Sequence, residues 1–277
     1  MNCISTENGV KIENITDLNL AETLDCGQSF RWEAEGSGYR GVAFGKEVVM
    51  RLEDGVLYID GATAADFDNI WSDYLDLSLD YSAVREQISA LHPVLREASA
   101  YAPGIRILRQ EPWEALCSFI ISQNNNIKRI KGIVKRLCES FGEDIGGSFA
   151  FPEAEKLAPL EPDDLAPIRA GFRGKYIIDA ARRVSSGEVD LEACRTLGYD
   201  EARAELMKIK GVGVKVADCT LLFGLHRIEA FPVDVWMRRA LDRLFPGMSA
   251  DSFGRYAGIA QQYIFHYSRM HPELFDR

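Results

Sequence analysis

The chain reads as α+β: a twisted antiparallel sheet near the N-terminus, then a mainly helical region. Two observations lead there. Between residues 29 and 59, short runs rich in β-branched and aromatic residues are separated by hairpin signals. From about Tyr81 onward, apolar residues recur with the 3.6-residue period of helices. The change of period falls near residues 80–100, which gives a β-rich domain over 1–95 and a helical region over 96–277.

The expected strands are Ser29–Trp32, Tyr39–Phe44, Glu47–Leu52 and Val56–Ile59, with Gly45-Lys46 and Asp54-Gly55 as turns. The expected helices are Ser82–Leu91, Trp113–Phe141, Pro162–Ala170, Lys175–Ser185, Tyr199–Ile209, Val214–Phe223, Val233–Phe245 and Ser252–Met270. Breakers such as Pro93, Gly142, Gly171, Gly211 and Pro232 punctuate them.

With 277 residues and 47% hydrophobic content, the chain is far from disordered composition. No stretch approaches the ~20 apolar residues of a membrane span. The opening Met1-Asn2-Cys3-Ile4-Ser5 lacks a basic run followed by an apolar one, so no signal peptide and no membrane partner is expected. The expectation is an intracellular protein: cytoplasmic and nucleoid-associated in a bacterium, nuclear in a eukaryote. The cysteines (Cys3, Cys26, Cys117, Cys138, Cys194 and Cys219) form no C-x-x-C pair, which argues against a zinc ribbon, an iron–sulfur cluster or a disulfide framework. No cofactor or metal is called for.

A net charge of −10 counts against a nucleic-acid partner until its distribution is considered. Lys128, Arg129, Lys131, Lys135 and Arg136 crowd one stretch without an acid; Arg169, Arg173, Lys175, Arg182 and Arg183 crowd another; Lys208, Lys210 and Lys215 follow. A basic face on an acidic body fits this pattern, and so do solvated helix faces.

The most informative string is Leu206-Met207-Lys208-Ile209-Lys210-Gly211-Val212-Gly213-Val214-Lys215-Val216-Ala217. A helix ends at Gly211, which can adopt φ > 0; Val212 packs between helices; Gly213 allows close backbone approach; a second helix starts at once. Such a turn leaves free amides at a helix N-terminus, a ready phosphate site. The string resembles a helix–hairpin–helix DNA-binding element. Lys215 lies in the first turn of the second helix, where a helix N-terminus and burial both lower a lysine pKa. An unprotonated amine can attack a sugar C1′, break the glycosidic bond, and let the resulting Schiff base lose its 3′ phosphate by β-elimination. Asp234, in Phe231-Pro232-Val233-Asp234-Val235, reads either as a helix N-cap or as a carboxylate beside a developing oxocarbenium ion.

A lysine in G-h-G-x-K with an aspartate 19 positions later (Lys215 to Asp234) resembles the helix–hairpin–helix, Gly/Pro-rich, Asp superfamily of DNA glycosylases. Within it the chain looks like the 8-oxoguanine DNA glycosylase/AP lyase family. The strings Gly27-Gln28-Ser29-Phe30-Arg31-Trp32, Ser122-Gln123-Asn124-Asn125-Asn126, Gly171-Phe172-Arg173-Gly174 and Pro232-Val233-Asp234-Val235 carry that likeness from about Leu18 to Phe265. The resemblance implies a base-excision repair enzyme acting on double-stranded DNA that contains an oxidised purine, and it implies a monomer. Lys215 would be the Schiff-base nucleophile and Asp234 the catalytic acid. The Gly27 carbonyl would accept the N7 hydrogen that 8-oxoguanine has and guanine lacks. Cys219 and Phe265 would sandwich the everted base and Gln261 would bond its Watson–Crick edge. Asn124 would fill the vacated stack, Arg129 and Arg173 would hold the orphaned cytosine, and Phe172 would wedge beside it. Gly211 and Gly213 would meet the phosphate backbone.

Helical spacing agrees with this: Lys215 and Cys219 are i, i+4, as are Gln261 and Phe265. Taken alone, Cys219 and Phe265 read as core. Two positions depart from the family pattern: Phe172, often tyrosine, and Trp236, histidine in the eukaryotic members. Competing readings are an alkylated-purine glycosylase on the same scaffold, which typically lacks the hairpin lysine, and a non-catalytic helix–hairpin–helix module.

Overall fold

The computed structural model describes residues 2–275. Strands β1 (Asn2–Ser5), β2 (Gly9–Glu13), β3 (Trp32–Glu35), β4 (Gly38–Ala43), β5 (Lys46–Glu53) and β6 (Val56–Asp60) form one antiparallel sheet in the order β1-β2-β6-β5-β4-β3. Strands β2 and β6 bury every second residue, so Val10, Ile12, Leu57 and Ile59 face a core with Trp32, Met50, Trp71 and Tyr74. The Trp32 indole donates to the Tyr74 hydroxyl at 2.6 Å, which satisfies two polar groups inside that core.

The expected strand at Ser29–Trp32 is corrected. Pairing starts only at Trp32, because Phe30 turns into the helical core and Arg31 is buried against Glu114 at 3.3 Å. The β4–β5 turn is Phe44-Gly45, with φ of 53° and 67°, and Lys46 already belongs to β5. Strands β1 and β2 are additions to the expected set; they are short, and their outer face carries Asn2, Ile4, Lys11 and Glu13.

Helix α1 (Leu20–Leu24) precedes β3. After the sheet come α2 (Ala64–Asp66), a π-helical turn at Phe67–Trp71, and α3 (Ser72–Tyr74). The helical region contains α4 (Tyr81–Ser89), α5 (Pro93–Tyr101), α6 (Pro112–Ser122), α7 (Ile127–Phe141), α8 (Ala154–Leu157), α9 (Gly174–Ser185), α10 (Tyr199–Leu206), α11 (Val214–Leu225), α12 (Val235–Leu244) and α13 (Ala257–Met270). Pro93 opens α5 rather than ending α4, as proline at a first helical position can.

The helix expected over Trp113–Phe141 is two helices. Asn124 sits at φ 46°, outside the right-handed helical region, and the Asn126 side chain then caps α7 by accepting the Arg129 amide at 3.0 Å. The segment Pro162–Ala170 is a 3-10 helix over Pro162–Ile168, and Ser252–Met270 is a 3-10 helix over Ala250–Tyr256 followed by α13. Tyr199–Ile209 stops at Leu206, and Val233–Phe245 starts at Val235 because Asp234 is its cap.

The second core is helical and centres on α6 and α11, both almost wholly buried. Phe119 of α6 stacks on Phe223 of α11 with centroids 5.3 Å apart. The two cores are joined through Gln28, which is fully buried. Its amide nitrogen donates to the Thr23 and Arg106 carbonyls at 2.8 and 2.7 Å, and its amide oxygen accepts from the Leu108 backbone at 2.9 Å. Among the described residues, no helix is long and apolar enough to cross a membrane.

Candidate active site

The helix–hairpin–helix is built from α10, the turn at 207–213 and α11. The first helix ends at Leu206, before Gly211, and Val212 anchors the turn in the core at 5% exposure. Gly211 is required twice over. Its φ is +82°, and a Cβ there would lie 2.5 Å from the Tyr176 ring. The neighbouring Lys210 amide donates to Asp179 Oδ2 at 2.7 Å and ties the turn to α9. At Gly213 nothing lies within 4 Å of a built Cβ, so the backbone there faces open space. This glycine is the N-cap of α11 and brings no side chain to satisfy the first-turn amides, which therefore stay open to an anion.

Lys215 is half-buried in that first turn. Its ammonium donates to Ser122 Oγ at 3.1 Å and lies 5.1 Å from the centroid of the Phe119 ring. Asp234, also half-buried, caps α12 by accepting the Met237 amide at 2.8 Å. Both expectations for Asp234 are thus compatible: one carboxylate oxygen caps the helix and the other is not needed for that bond. The two charges are not in contact with each other, yet both act on Cys219. Burial pushes the Cys219 thiol up to about 11 against the opposing pull of Lys215, and Asp218 and Asp234 add to the rise. Lys215, Cys219 and Asp234 therefore share one electrostatic neighbourhood.

Helices α11 and α13 touch where a Cβ on Gly258 would lie 2.4 Å from Leu222 Cδ1. One turn along each helix from that contact come Cys219 and Gln261, 3% and 5% exposed. The Gln261 Oε1 atom is buried with no hydrogen-bond partner among the described residues. Such an oxygen is costly unless something else bonds it. One turn further on α13 is Phe265. It lies beside Gly27, whose φ is +94°: a Cβ there would be 3.6 Å from Phe265 Cε1 and 3.2 Å from Ile127 Cδ1. Gln28 holds the Gly27 loop, since the Gln28 carbonyl accepts from the Gln110 side chain at 2.8 Å as well.

Asn124, Arg129, Phe172 and Arg173 form a second group on the α6–α7 turn and the start of α9. Arg173 is turned inward, 3% exposed. It donates to the Gln123, Ala170 and Asn124 carbonyls, the last at 2.9 Å, and its guanidinium lies 4.4 Å from the Phe172 ring centroid. Arg129 is exposed and near enough to add to the burial that lowers the Arg173 pKa. Asn124 is exposed at the apex of the turn, and Phe172 is 50% exposed. An open cleft of about 830 Å³ lies alongside, lined by Phe30, Arg31, Ile127, Lys131, Phe149 and Arg269 among others, and by neither Lys215 nor Asp234.

Residues 11–116 match a family profile described as the N-terminal domain of 8-oxoguanine DNA glycosylase, and residues 117–252 match one described as the HhH-GPD superfamily base excision DNA repair protein. A Saccharomyces cerevisiae N-glycosylase/DNA lyase is 34% identical over 83% of this chain and 69% of its own length. The chain belongs to the 8-oxoguanine DNA N-glycosylase/lyase family. Two solved structures of high similarity reinforce this. MBOgg1 in complex with a low-affinity DNA ligand gives a TM-score of 0.94 at 42% identity, covering 98% of this chain and 99% of that one. The Clostridium acetobutylicum 8-oxoguanine glycosylase/lyase, in complex with double-stranded DNA containing cytosine opposite 8-oxoG, gives 0.93 at 36% identity with 98% and 99% covered. The N-glycosylase/lyase family is one of bifunctional enzymes, and its α+β architecture is the one seen here.

Two residues near the site escape a reading of the sequence, and a third is legible there without being singled out. Gln28 stands out there only as part of its string; its burial and several hydrogen bonds depend on residues 78 to 82 positions away. Ser122 ends α6 and meets Lys215 only through the packing of α6 on α11. Arg269 has a readable signal: it continues the i, i+4 series from Gln261 and Phe265.

Proposed function

We propose that this protein excises 8-oxoguanine from duplex DNA through Lys215 and then cleaves the resulting abasic site by β-elimination. The observation that carries the reading is a lysine at the head of α11, bonded to Ser122 and set beside Phe119, one turn from the buried Cys219 and on a helix that touches the one carrying the partnerless Gln261 oxygen. In this reading the everted base lies between Cys219 and Phe265. The Gln261 side chain bonds its Watson–Crick edge, and the Gly27 carbonyl accepts the N7 hydrogen. Guanine would present a lone pair to that carbonyl. Lys215 attacks C1′ and Asp234 stabilises the positive charge that develops on the sugar.

Asn124 and Phe172 stand exposed where they can enter the stack, and Arg129 reaches the orphaned cytosine. Arg173 already uses much of its donor set on the Gln123, Ala170 and Asn124 carbonyls. Its contribution is to shape the Asn124 turn as well as to contact the base. The first-turn amides of α11 take a backbone phosphate. The enzyme acts as a monomer in whichever compartment holds the cell's DNA.

The discriminating experiment is excision from duplexes that differ only in carrying 8-oxoguanine, guanine or an alkylated purine. The reading expects release of 8-oxoguanine and strand cleavage, with guanine untouched. Preference for the alkylated purine would favour the other glycosylase class. Tight DNA binding without release of any base would leave a non-catalytic module.

A further inference from the structure

We infer that Arg269 is a positioning residue of the lesion pocket: its guanidinium steadies the Phe265 ring and sets a positive charge beside Gly27, favouring an oxidised purine that departs as an anion. The inference rests on the assignment of Phe265 and Gly27 to that pocket. Arg269 follows Phe265 by one helical turn on α13, and its guanidinium carbon lies 5.4 Å from the Phe265 centroid. Its Nη1 is also 3.6 Å from the position a Cβ would take on Gly27, as far as Phe265 Cε1 is. One cation thus borders the two surfaces that would contact the base from different sides. Among the described residues it makes this ring contact and no ion pair, although Asp25 and Glu33 line the same cleft. The adjacent His266 supplies no second charge. Burial, and then Arg269 itself, hold its imidazole below the ordinary value, so it is neutral near pH 7.

Excision forms the Lys215 Nζ–C1′ bond and breaks C1′–N9. The electron pair of the broken bond leaves with the purine, and the proton shed by the new ammonium balances the base anion. A cation next to the base lowers the energy of that charge as it appears. Once the base has gone, β-elimination proceeds at the sugar, which Arg269 does not approach in this reading. The residue therefore separates two activities that share the same nucleophile.

The deciding variant is Arg269→Met, which keeps an apolar stem over Phe265, with Arg269→Lys as the conservative variant. Single-turnover release of 8-oxoguanine should fall about two- to fivefold in Arg269→Met and recover partly in Arg269→Lys, consistent with the modest worth of an exposed cation on a ring. Strand cleavage at a pre-formed abasic site should stay within about twofold of wild type. Affinity for an abasic-analogue duplex, and its salt dependence, should be unchanged. Equal loss of both activities, or a shallower salt dependence, would make Arg269 a phosphate contact and overturn the inference. So would unchanged excision. A wild-type protein that released no 8-oxoguanine would instead defeat the underlying functional reading.

Discussion

Helix α11 has two ends, and they are furnished in opposite ways. At its head, Lys215 has one hydroxyl partner and no counter-ion among the described residues, the first-turn amides lack a side-chain cap, and nearby Gln261 keeps an unpaired oxygen. At its foot, His226 caps the helix at φ 53° and meets Asp76 at 3.0 Å. Asp76 is completely buried and also accepts from Arg109 at 2.7 Å and from the Tyr81 hydroxyl at 2.9 Å. Burial raises the Asp76 pKa, but His226 and Arg109 outweigh it and hold the carboxyl below its ordinary value. One end leaves polar groups waiting for a substrate, and the other joins the groups that fix the helix between the two cores. An unmet buried oxygen is unfavourable, and Gln261 holds one near the head of the helix, whereas the buried Asp76 carboxylate at the foot is fully engaged.

This contrast can be broken at either end. Asp234→Asn should cost the most: excision lower by ~10²–10⁴-fold, the range for a lost charged catalytic group, while duplex affinity persists. Single-turnover kinetics beside a binding titration would show the split, and full turnover would remove Asp234 from the chemistry. At the foot, Asp76→Asn should lower stability by about 1.5 kcal/mol near neutral pH, because it replaces charge-assisted hydrogen bonds to Arg109 and His226 with neutral ones. For a carboxyl whose folded pKa is depressed, the stabilisation is complete above the unfolded value near 3.8 and fades as pH falls through the lower folded value. Denaturant melts should therefore converge for wild type and variant at acid pH. A gap that persists there would mean packing, not charge, supplies the effect.

A smaller effect is expected for Gly27→Ala. The substitution forces a side chain into φ +94° and places a methyl 3.2 Å from Ile127. Release of 8-oxoguanine should drop roughly 10–100-fold, by misplacing the carbonyl, while cleavage of a pre-formed abasic site survives. Equal loss of both would put Gly27 in the scaffold instead. The mildest change is Phe172→Tyr, exposed beside the Asn124 turn. Stability should move by less than about 0.5 kcal/mol. The ratio of excision opposite cytosine to that opposite adenine should rise about two- to threefold, an effect to be read by competition between the two duplexes.

The sequence is most legible where function restricts the choice of residue. Lys215, Asp234 and the hairpin glycines stand in short strings whose spacing already implies a helix start facing an anion. Helical periodicity places α4, α7, α9, α11 and α12 to within a few residues, save that α7 is merged with α6. It fails over residues 123–126, where Gln123 leaves the helix at ψ 123°, Asn124 takes φ 46° and Asn126 is extended; no glycine or proline announces the break, only the polar run with its three asparagines, which can equally be a capping or turn cluster. It fails again at Ser29–Trp32, where alternation mimics a strand but Phe30 and Arg31 are claimed by α6 and its neighbours. Gln28 and Ser122 are unreadable for a different reason. Their roles depend on partners far along the chain, and no local pattern encodes a hydrogen bond made across 80 or 93 residues.

The central claim is that the amine of Lys215 becomes bonded to the sugar. Wild-type protein incubated with an 8-oxoguanine duplex and borohydride should yield a covalent protein–DNA adduct, and peptide mapping should locate it at Lys215. Lys215→Gln should still bind the duplex and yield none. Excision by wild type with no trappable adduct, or an adduct that survives Lys215→Gln, would contradict the account.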